Sequence, residues 1–152
     1  MLKEGDKAPD FALQDDTGKK VSLKSLRGKR VILYFYPKDD TPGCTREACG
    51  FRDQFADFGR VNAAVYGVSK DSLDSHKNFK SKYSLPFPLL SDPDLEVAKE
   101  YGAWGEKNMY GKKIMGIIRS TFIIDEKGRI EKIYRNVRVD GHTDAVLAHL
   151  TA

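Results

Sequence analysis

The sequence carries its two cysteines close together, in the stretch "YPKDDTPGCTREACG" from Tyr36 to Gly50. Four residues separate Cys44 from Cys49, whereas thiol–disulfide carriers use Cys-x-x-Cys. A structural zinc site needs four ligands, and the histidines are scattered at 76, 142 and 149. A cysteine hydrolase needs a histidine base, which would have to fold in from a distance. Both sulfurs could also be buried hydrophobes, so the residue types alone leave chemistry and packing open.

Cys44 lies where a helix is expected to begin. Pro42 and Gly43 precede it, and apolar residues then recur at helical spacing, at Ala48, Phe51, Phe55 and Phe58. The pattern predicts a helix from Cys44 to about Phe58. Unpaired backbone N–H groups and the helix dipole favour an anion in the first helical turn, so we expect the thiolate form of Cys44 to be favoured there.

Cys49 lies five positions further along the same predicted helix. Residues at this spacing lie about 140° apart around an ideal helix and ~7.5 Å apart along it, which puts their Cα atoms roughly 8.5 to 9 Å apart. A disulfide tolerates at most about 7 Å between Cα atoms. The two thiols are therefore expected to bond only after the first turns unwind, which suits a reversible catalytic disulfide better than a structural one.

Strands and helices alternate around this stretch, and a hairpin and a helix close the chain. The patterns predict a hairpin from Ala8 to Leu23, a helical turn at Ser25–Arg27, strands at 30–36, 63–69 and around Leu89 and Leu90, helices at 72–83 (with Ser72 as N-cap), 93–102 and 142–150, and a hairpin of 119–125 with 130–136. A glycine-rich connector carries Trp104 and Tyr110, both expected to be packing residues. This order predicts an α/β fold with a mixed central β-sheet flanked by helices.

The composition is that of a globular protein. At 152 residues, 40% of them hydrophobic and 32% charged, we expect one domain over residues 1–152. The net charge is +4, but the 26 basic and 22 acidic residues are interleaved, which argues against nucleic acid as a partner. The apolar runs, such as residues 31–36, fall far short of the ~20 residues that cross a membrane, and the polar N-terminus lacks the pattern of a secretory signal. We expect a cytoplasmic protein that does not enter membranes.

The cysteine stretch resembles the active-site motif of the peroxiredoxins, with Pro37, Thr41 and Cys44 in the spacing Pro-x-x-x-Thr-x-x-Cys. The longer string "FYPKDDTPGCTREACGFRD" is similar to the bacterioferritin-comigratory, or Q-type, branch. Three further stretches resemble that branch in the same order, namely "GDKAPDFALQDDTGKKVSL", "YGVSKDSLDSHKNF" and "YGKKIMGIIRSTFIID". The resemblance implies a thioredoxin-like fold of the peroxiredoxin type with an N-terminal β-hairpin, and reduction of hydroperoxides without metal or organic cofactor.

The resemblance also implies roles for single residues. Cys44 would be the peroxidatic nucleophile and Cys49 the resolving cysteine. Thr41 would orient the peroxide through its hydroxyl, and Pro37 would shield the site from water. Considered without the resemblance, Thr41 could be only a helix cap and Pro37 only the end of a strand.

Two charged residues complete the implied site. Arg119, in "IIRST", would supply positive charge to the thiolate and to the leaving oxygen, and Glu47 would help to position that arginine. A guanidinium suits this task because it stays charged and offers several donors. Considered alone, Arg119 could be a surface charge, and Glu47 could only complement the helix dipole.

The assembly and the reductant follow from the same resemblance. Peroxiredoxins that resolve between subunits generally carry the second cysteine in a C-terminal extension, whereas this sequence ends with the predicted helix at 142–150. We therefore expect a monomer with an intramolecular disulfide, which thioredoxin or glutaredoxin would reduce. A redox sensor or a thiol–disulfide carrier with a thioredoxin-like fold is the alternative, and the presence of Thr41 and Arg119 argues against the carrier.

Overall fold

The fold, described by a computed structural model for all residues from Met1 to Ala152, is an α/β arrangement of nine strands and five α-helices. In chain order the elements are β1 (Ala12–Asp15), β2 (Lys20–Ser22), a 3-10 turn (Leu23–Leu26), β3 (Arg30–Phe35), α1 (Pro42–Asp53), α2 (Phe55–Arg60), β4 (Ala63–Ser69), α3 (Leu73–Tyr83), β5 (Leu89–Ser91), α4 (Glu96–Glu100), β6 (Trp104–Met109), β7 (Lys112–Ile117), β8 (Ser120–Ile124), β9 (Ile130–Tyr134) and α5 (His142–Thr151). None of these helices has the length and apolar character that crossing a membrane requires.

Seven strands form one mixed sheet in the order β2-β1-β5-β4-β3-β8-β9. The neighbours β3, β4 and β5 are parallel, because helices cross over between them, and the other pairs are antiparallel. The N-terminal hairpin joins the sheet through β1, which pairs with β5. The predicted mixed sheet with an N-terminal hairpin is confirmed.

The central strand β3 divides the core into two clusters. Its side chains alternate between the two faces of the sheet, so that Val31, Leu33 and Phe35 enter one cluster while Ile32 and Tyr34 enter the other. Helices α1, α2, α3 and α5 cover the second cluster with apolar side chains that include Phe51, Phe58, Phe79 and Val146. The prediction that 30–36 is a strand buried on both faces is confirmed, apart from its last residue.

The helix predicted from Cys44 to about Phe58 is two helices, and it begins earlier. Thr41 is extended, and Pro42 opens α1, because a proline with no N–H and a fixed φ is well suited to the first helical position. Gln54, at φ −106° and ψ 11°, separates α1 from α2. The side chain of Gln54 is held by the carboxylate of Asp144 in α5. The apolar spacing continued through the break, which is why the sequence predicted one helix.

The helix predicted over 93–102 is confined to α4. Leu95 has a φ of +61°, so the helical backbone starts only after it. The carboxylate of Asp92 accepts the backbone N–H groups of Val97 at 3.3 Å and Ala98 at 2.9 Å, which satisfies donors at the start of the helix. The residue that caps α4 is therefore Asp92, which precedes the proline at which the predicted helix began.

The predicted glycine-rich connector is the hairpin β6–β7. Tyr110 and Gly111 form its two-residue turn, with φ values of 53° and 78°, as a type I′ turn requires. Trp104 is half-buried against the core, as expected, but the prediction that Tyr110 packs is wrong, because its side chain is 99% exposed at the tip of the turn. This hairpin forms a second, two-stranded sheet beside the end of β3 at which Pro37 lies.

Candidate active site

The topology brings Arg119 to the start of α1. Strand β3 ends at Phe35, and the chain then runs through Pro37 into the helix that carries Cys44. Strand β8 is antiparallel to β3 with Ser120 opposite Phe35, so Arg119, the residue before β8, lies at the same end of the sheet. Two residues 75 positions apart in the sequence thereby come into contact.

Cys44 is the third residue of α1 and is only 2% exposed. At this position the sulfur lies in the first helical turn, where backbone N–H groups have no partner within the helix. Thr41 precedes the helix without a capping side-chain hydrogen bond, and its hydroxyl instead donates to the carbonyl of Lys38 at 2.8 Å. Thr41 thus occupies the N-cap position, but its hydroxyl does not cap the helix.

Arg119 links Cys44 to Glu47. One guanidinium nitrogen, Nη2, lies 3.3 Å from Cys44 Sγ, and the other, Nη1, donates to Glu47 Oε1 at 2.7 Å. Cys44 and Glu47 are three residues apart on α1 and so face the same side. The approach also depends on Gly43, because a Cβ there would lie 3.3 Å from Arg119 Nη2. The Arg119 side chain is only 16% exposed, which does not fit the alternative that it is merely a surface charge.

Glu47 is a buried carboxyl with one oxygen left over. The residue is 1% exposed, and Oε2 has no hydrogen-bond partner. Burial raises its pKa to about 7, although the charge of Arg119 acts in the opposite direction. Glu47 therefore carries its full charge only above neutral pH, where the ion pair with Arg119 is strongest.

His142, the first residue of α5, lies behind Glu47. Its Nε2 is 4.0 Å from Glu47 Oε2 and 2.8 Å from the hydroxyl of Thr121. Burial, and then the charge of Arg119, lower the pKa of His142 to about 4. The imidazole is thus neutral at ordinary pH. A histidine does fold in near the site, but it faces Glu47 and Thr121 rather than the sulfur, whose hydrogen-bond partner is the guanidinium.

A cavity of about 370 Å³ opens beside the guanidinium. Its walls include Pro37, Arg119, Lys107 and, from the segment after β9, Val137. Lys107 comes from β6 and donates to the carbonyl of Ile117 at 3.0 Å, and burial, together with the charge of Arg119, lowers its pKa. The sequence did not indicate Lys107 or His142, because the first lay in a predicted connector and the second has no partner nearby in the chain.

Cys49 lies in α1 with Cys44, five residues further along, and is half-buried. Both cysteines are free thiols, and α1 is continuous from Pro42 to Asp53. The structure thus places the two sulfurs on one helix, the arrangement that the sequence predicted. Of the six predicted site residues, it joins Cys44, Glu47 and Arg119 through hydrogen bonds and places Pro37 on the cavity wall. The side chains of Thr41 and Cys49 form no hydrogen bond to this trio.

Fold and site define a thioredoxin-like protein of the peroxiredoxin type, in which an arginine and the start of a helix accompany a buried cysteine. The model of the AhpC/TSA family matches residues 4–133. A relative from Coxiella burnetii is 53% identical over 98% of this chain and 99% of its own length, and Peroxiredoxin Bcp of Bacillus subtilis is 48% identical over 98% and 95%. The solved structure of the Xanthomonas campestris bacterioferritin comigratory protein has a TM-score of 0.91, with 40% identity over 98% of both chains.

The chain therefore belongs to the AhpC/TSA family, within the Bcp, or Q-type, branch of the peroxiredoxins. Peroxiredoxins are thiol peroxidases, and this protein is an enzyme of that class. Membership in the family implies a hydroperoxide as the substrate and a thiol as the reductant.

Proposed function

We propose that Cys44 is the residue that the hydroperoxide oxidises. Its thiolate attacks one peroxide oxygen, so that an S–O bond forms while the O–O bond breaks. The cysteine becomes a sulfenic acid, and the departing oxygen takes up a proton to leave as an alcohol or as water. The single observation that carries this proposal is the contact of 3.3 Å between Cys44 Sγ and Arg119 Nη2 in a buried site.

Arg119 stabilises negative charge twice in this reaction. Before attack it faces the thiolate, and during attack it can donate to the oxygen that leaves, since a guanidinium offers five donors. The cavity is lined by Arg119, whose Nη2 also lies 3.3 Å from Cys44 Sγ, so a peroxide that enters it meets the guanidinium next to the sulfur. Glu47 fixes the orientation of the guanidinium through its charge-assisted hydrogen bond of 2.7 Å.

Thr41 and Pro37 shape the approach to the sulfur. The Thr41 hydroxyl donates to Lys38 O, which leaves its lone pairs free to accept a hydrogen bond from the peroxide O–H. Pro37 lines the cavity and has no N–H that would hold water, so it helps to exclude solvent.

Cys49 resolves the sulfenic acid in our proposal. Once the first turns of α1 unwind, the Cys49 thiol attacks the Cys44 sulfur, a disulfide forms, and water leaves. A dithiol partner, thioredoxin or glutaredoxin, then reduces the disulfide and returns the enzyme to its starting state. Since both cysteines belong to one helix, the cycle needs only one chain, which supports a monomer. We also propose that the protein works in the cytoplasm.

We infer that the substrates include hydrogen peroxide and organic hydroperoxides. The Xanthomonas relative is described as having alkyl peroxide reduction activity. In this chain, apolar side chains of Met109, Ile117, Ile118 and Val137 line the cavity, where the carbon chain of an organic hydroperoxide can bind. The experiment compares rates with hydrogen peroxide and cumene hydroperoxide.

Two cysteine variants test the cycle. Cys44→Ser should lose peroxide turnover with thioredoxin, and activity well above background would reject Cys44 as the nucleophile. Cys49→Ser should form one equivalent of sulfenic acid and then stall, which mass spectrometry after one equivalent of peroxide detects. Undiminished cycling of Cys49→Ser would show that the reductant acts directly on Cys44. A thiol–disulfide carrier would consume no peroxide in either form.

A further inference from the structure

A buried carboxylate ties down the loop between β3 and α1. Asp39 lies between Pro37 and Thr41, and its side chain is 3% exposed. Its Oδ1 accepts the hydroxyl of Tyr36 at 2.5 Å, and its Oδ2 accepts the hydroxyl of Ser75 at 2.8 Å. Both carboxyl oxygens of Asp39 are thus engaged by hydroxyl groups, which are good donors to a carboxylate.

His76 of α3 faces this carboxylate and is fully buried. Its Nδ1 lies 2.7 Å from Asp39 Oδ2, and its Nε2 lies 3.0 Å from the carbonyl oxygen of Leu90. A carbonyl can only accept, so the contact with Leu90 places a hydrogen on Nε2, and a second hydrogen on Nδ1 would make the bond to a carboxylate. An imidazolium at this position would donate from both ring nitrogens, to Asp39 and to Leu90.

A second carboxylate completes the cluster. Asp71 Oδ2 accepts the backbone N–H of Asp39 at 2.9 Å and the hydroxyl of Ser69 at 2.6 Å. The ligand atoms of Asp39, Asp71 and His76 lie within 4.8 Å of one another, but each is used in a hydrogen bond within the protein, so we interpret the group as an internal network rather than as a metal site. The network joins the loop to β3, β4, α3 and β5.

The next residue attaches the loop to α3 a second time. Asp40 has a φ of +55°, and its carboxylate accepts Lys82 Nζ and Tyr83 Oη, both at 2.8 Å. The fixed part of the loop thus ends at Asp40, directly before Thr41 and the first turn of α1. None of the hydrogen bonds of His76 reaches Cys44, and its bond to Asp39 leads to the loop that precedes α1.

We propose that His76 is a positioning residue of this peroxidase. As an imidazolium it holds Asp39, and through it the segment from Pro37 to Thr41, in the geometry that the peroxide meets. The same attachment gives α1 a fixed upstream end while its first turns unwind. The proposal rests on the proposed role of Cys44 and adds to it a residue on another helix.

The kinetic test uses His76→Gln in a Cys49→Ser background, so that only peroxide attack on Cys44 is measured. The result can therefore be interpreted even if the proposed disulfide does not form. Single-turnover stopped flow should show a rate constant roughly tenfold to hundredfold lower, because a loop displaced by about 1 Å misplaces the reacting groups. A folded His76→Gln variant whose rate stays within twofold of its parent overturns the proposal.

Two further variants separate positioning from stability. Asp39→Asn with His76→Gln removes the carboxylate that His76→Gln alone would leave buried and unpaired, so this double variant should fold and recover part of the lost rate. No recovery in a folded double variant counts against the loop as the route of the effect. His149→Gln is the matched control, because His149 also pairs with a carboxylate, Glu131, at 2.7 Å, but near the other end of β3. Its rate should match that of the parent.

Nuclear magnetic resonance tests the charge of His76 directly. In ¹⁵N-labelled protein we expect two ring N–H signals from His76, one for each nitrogen, and both should vanish in His76→Gln. A single ring N–H signal would mean a neutral imidazole and would overturn the assignment of a buried ion pair, whatever the kinetics show.

Discussion

At the scale of single residues, one guanidinium, that of Arg119, interacts with two acidic groups. Arg119 contacts Cys44 through Nη2 and Glu47 through Nη1. Because burial raises the pKa of Glu47 to about 7, protonation of this carboxyl near neutral pH weakens the bond that orients the guanidinium. The site therefore couples the protonation of a carboxyl that does not react to the geometry around the sulfur that does.

This coupling predicts a pH effect on peroxide attack. Glu47 is ionised above about pH 7, so the rate constant per thiolate should fall as the pH drops below that value. We expect a decrease of roughly tenfold, the size of a lost charge-assisted hydrogen bond of ~1.4 kcal/mol. Stopped flow gives the rate, and absorbance at 240 nm gives the thiolate fraction by which it is divided.

Glu47→Gln should give a low rate per thiolate that no longer changes with pH. Glu131→Gln is the control, since Glu131 pairs with Arg30 at 2.6 Å near the opposite end of β3. Its profile should match the unmodified enzyme. A Glu47→Gln profile that still falls below pH 7 would assign the effect to another group.

At the scale of elements, α1 contains a residue that makes the helix easier to unwind. Gly50 lies inside it, and a glycine within a helix costs about 0.5 to 1 kcal/mol relative to alanine. Its small size also serves the packing of α1 on α5, because a Cβ there would lie 2.8 Å from Thr143 Oγ1 and 2.9 Å from Thr143 Cγ2. The same residue thus allows close packing and lowers the cost of unwinding.

Stiffening α1 should slow disulfide formation. We predict that Gly50→Ala, combined with Thr143→Ala to remove the clash, forms the Cys44–Cys49 disulfide roughly threefold to fivefold more slowly than Thr143→Ala alone, which corresponds to ~0.6 to 1 kcal/mol. Rapid quench and mass spectrometry measure the step after one equivalent of peroxide.

The matched control is Gly59→Ala in α2, where nothing lies within 4 Å of the added carbon. It adds helix propensity outside the segment that unwinds and should leave the rate unchanged. Equal slowing by both substitutions would mean that overall stability, rather than α1, sets the rate.

The elements that the sequence predicted well are those in which local pattern and packing agree. The apolar run of β3 predicted a central strand because the strand is buried on both faces. Hairpin β6–β7 was missed because its residues are largely exposed and its turn is Tyr110-Gly111 rather than Asn-Gly. The break at Gln54 depends on a contact with α5, which no local pattern contains.

At the scale of the whole molecule, the site was only partly predictable from the sequence, because strand pairing brings its residues together. Family resemblance indicated Arg119 and Glu47, and the antiparallel register of β3 with β8 explains why they meet. Composition and spacing could not place His142 or Lys107, because their contacts are made by elements far apart in the sequence. Local chemistry was therefore predictable, whereas the groups that tune it depend on tertiary structure.

Glu47 and His142 should have opposite effects on how the free energy of unfolding changes with pH. The pKa of Glu47 rises on folding from 4.5 to about 7, so the folded state binds more protons between these values and gains stability as the pH falls. The pKa of His142 falls on folding from 6.5 to about 4, so the unfolded state binds more protons and stability is lost as the pH falls. Between pH 5 and 6.5 the two effects nearly cancel.

Single variants should uncover each effect. Going from pH 6.5 to 5, the free energy of unfolding of Glu47→Gln should fall by about 1.5 kcal/mol relative to the unmodified protein, and that of His142→Asn should rise by about 1.5 kcal/mol. Urea unfolding at the two pH values gives both numbers. The two pH values are compared within each variant, so any loss of stability that the substitution causes at both pH values cancels. Parallel pH dependences for all three proteins would show that the two groups do not titrate as their burial predicts.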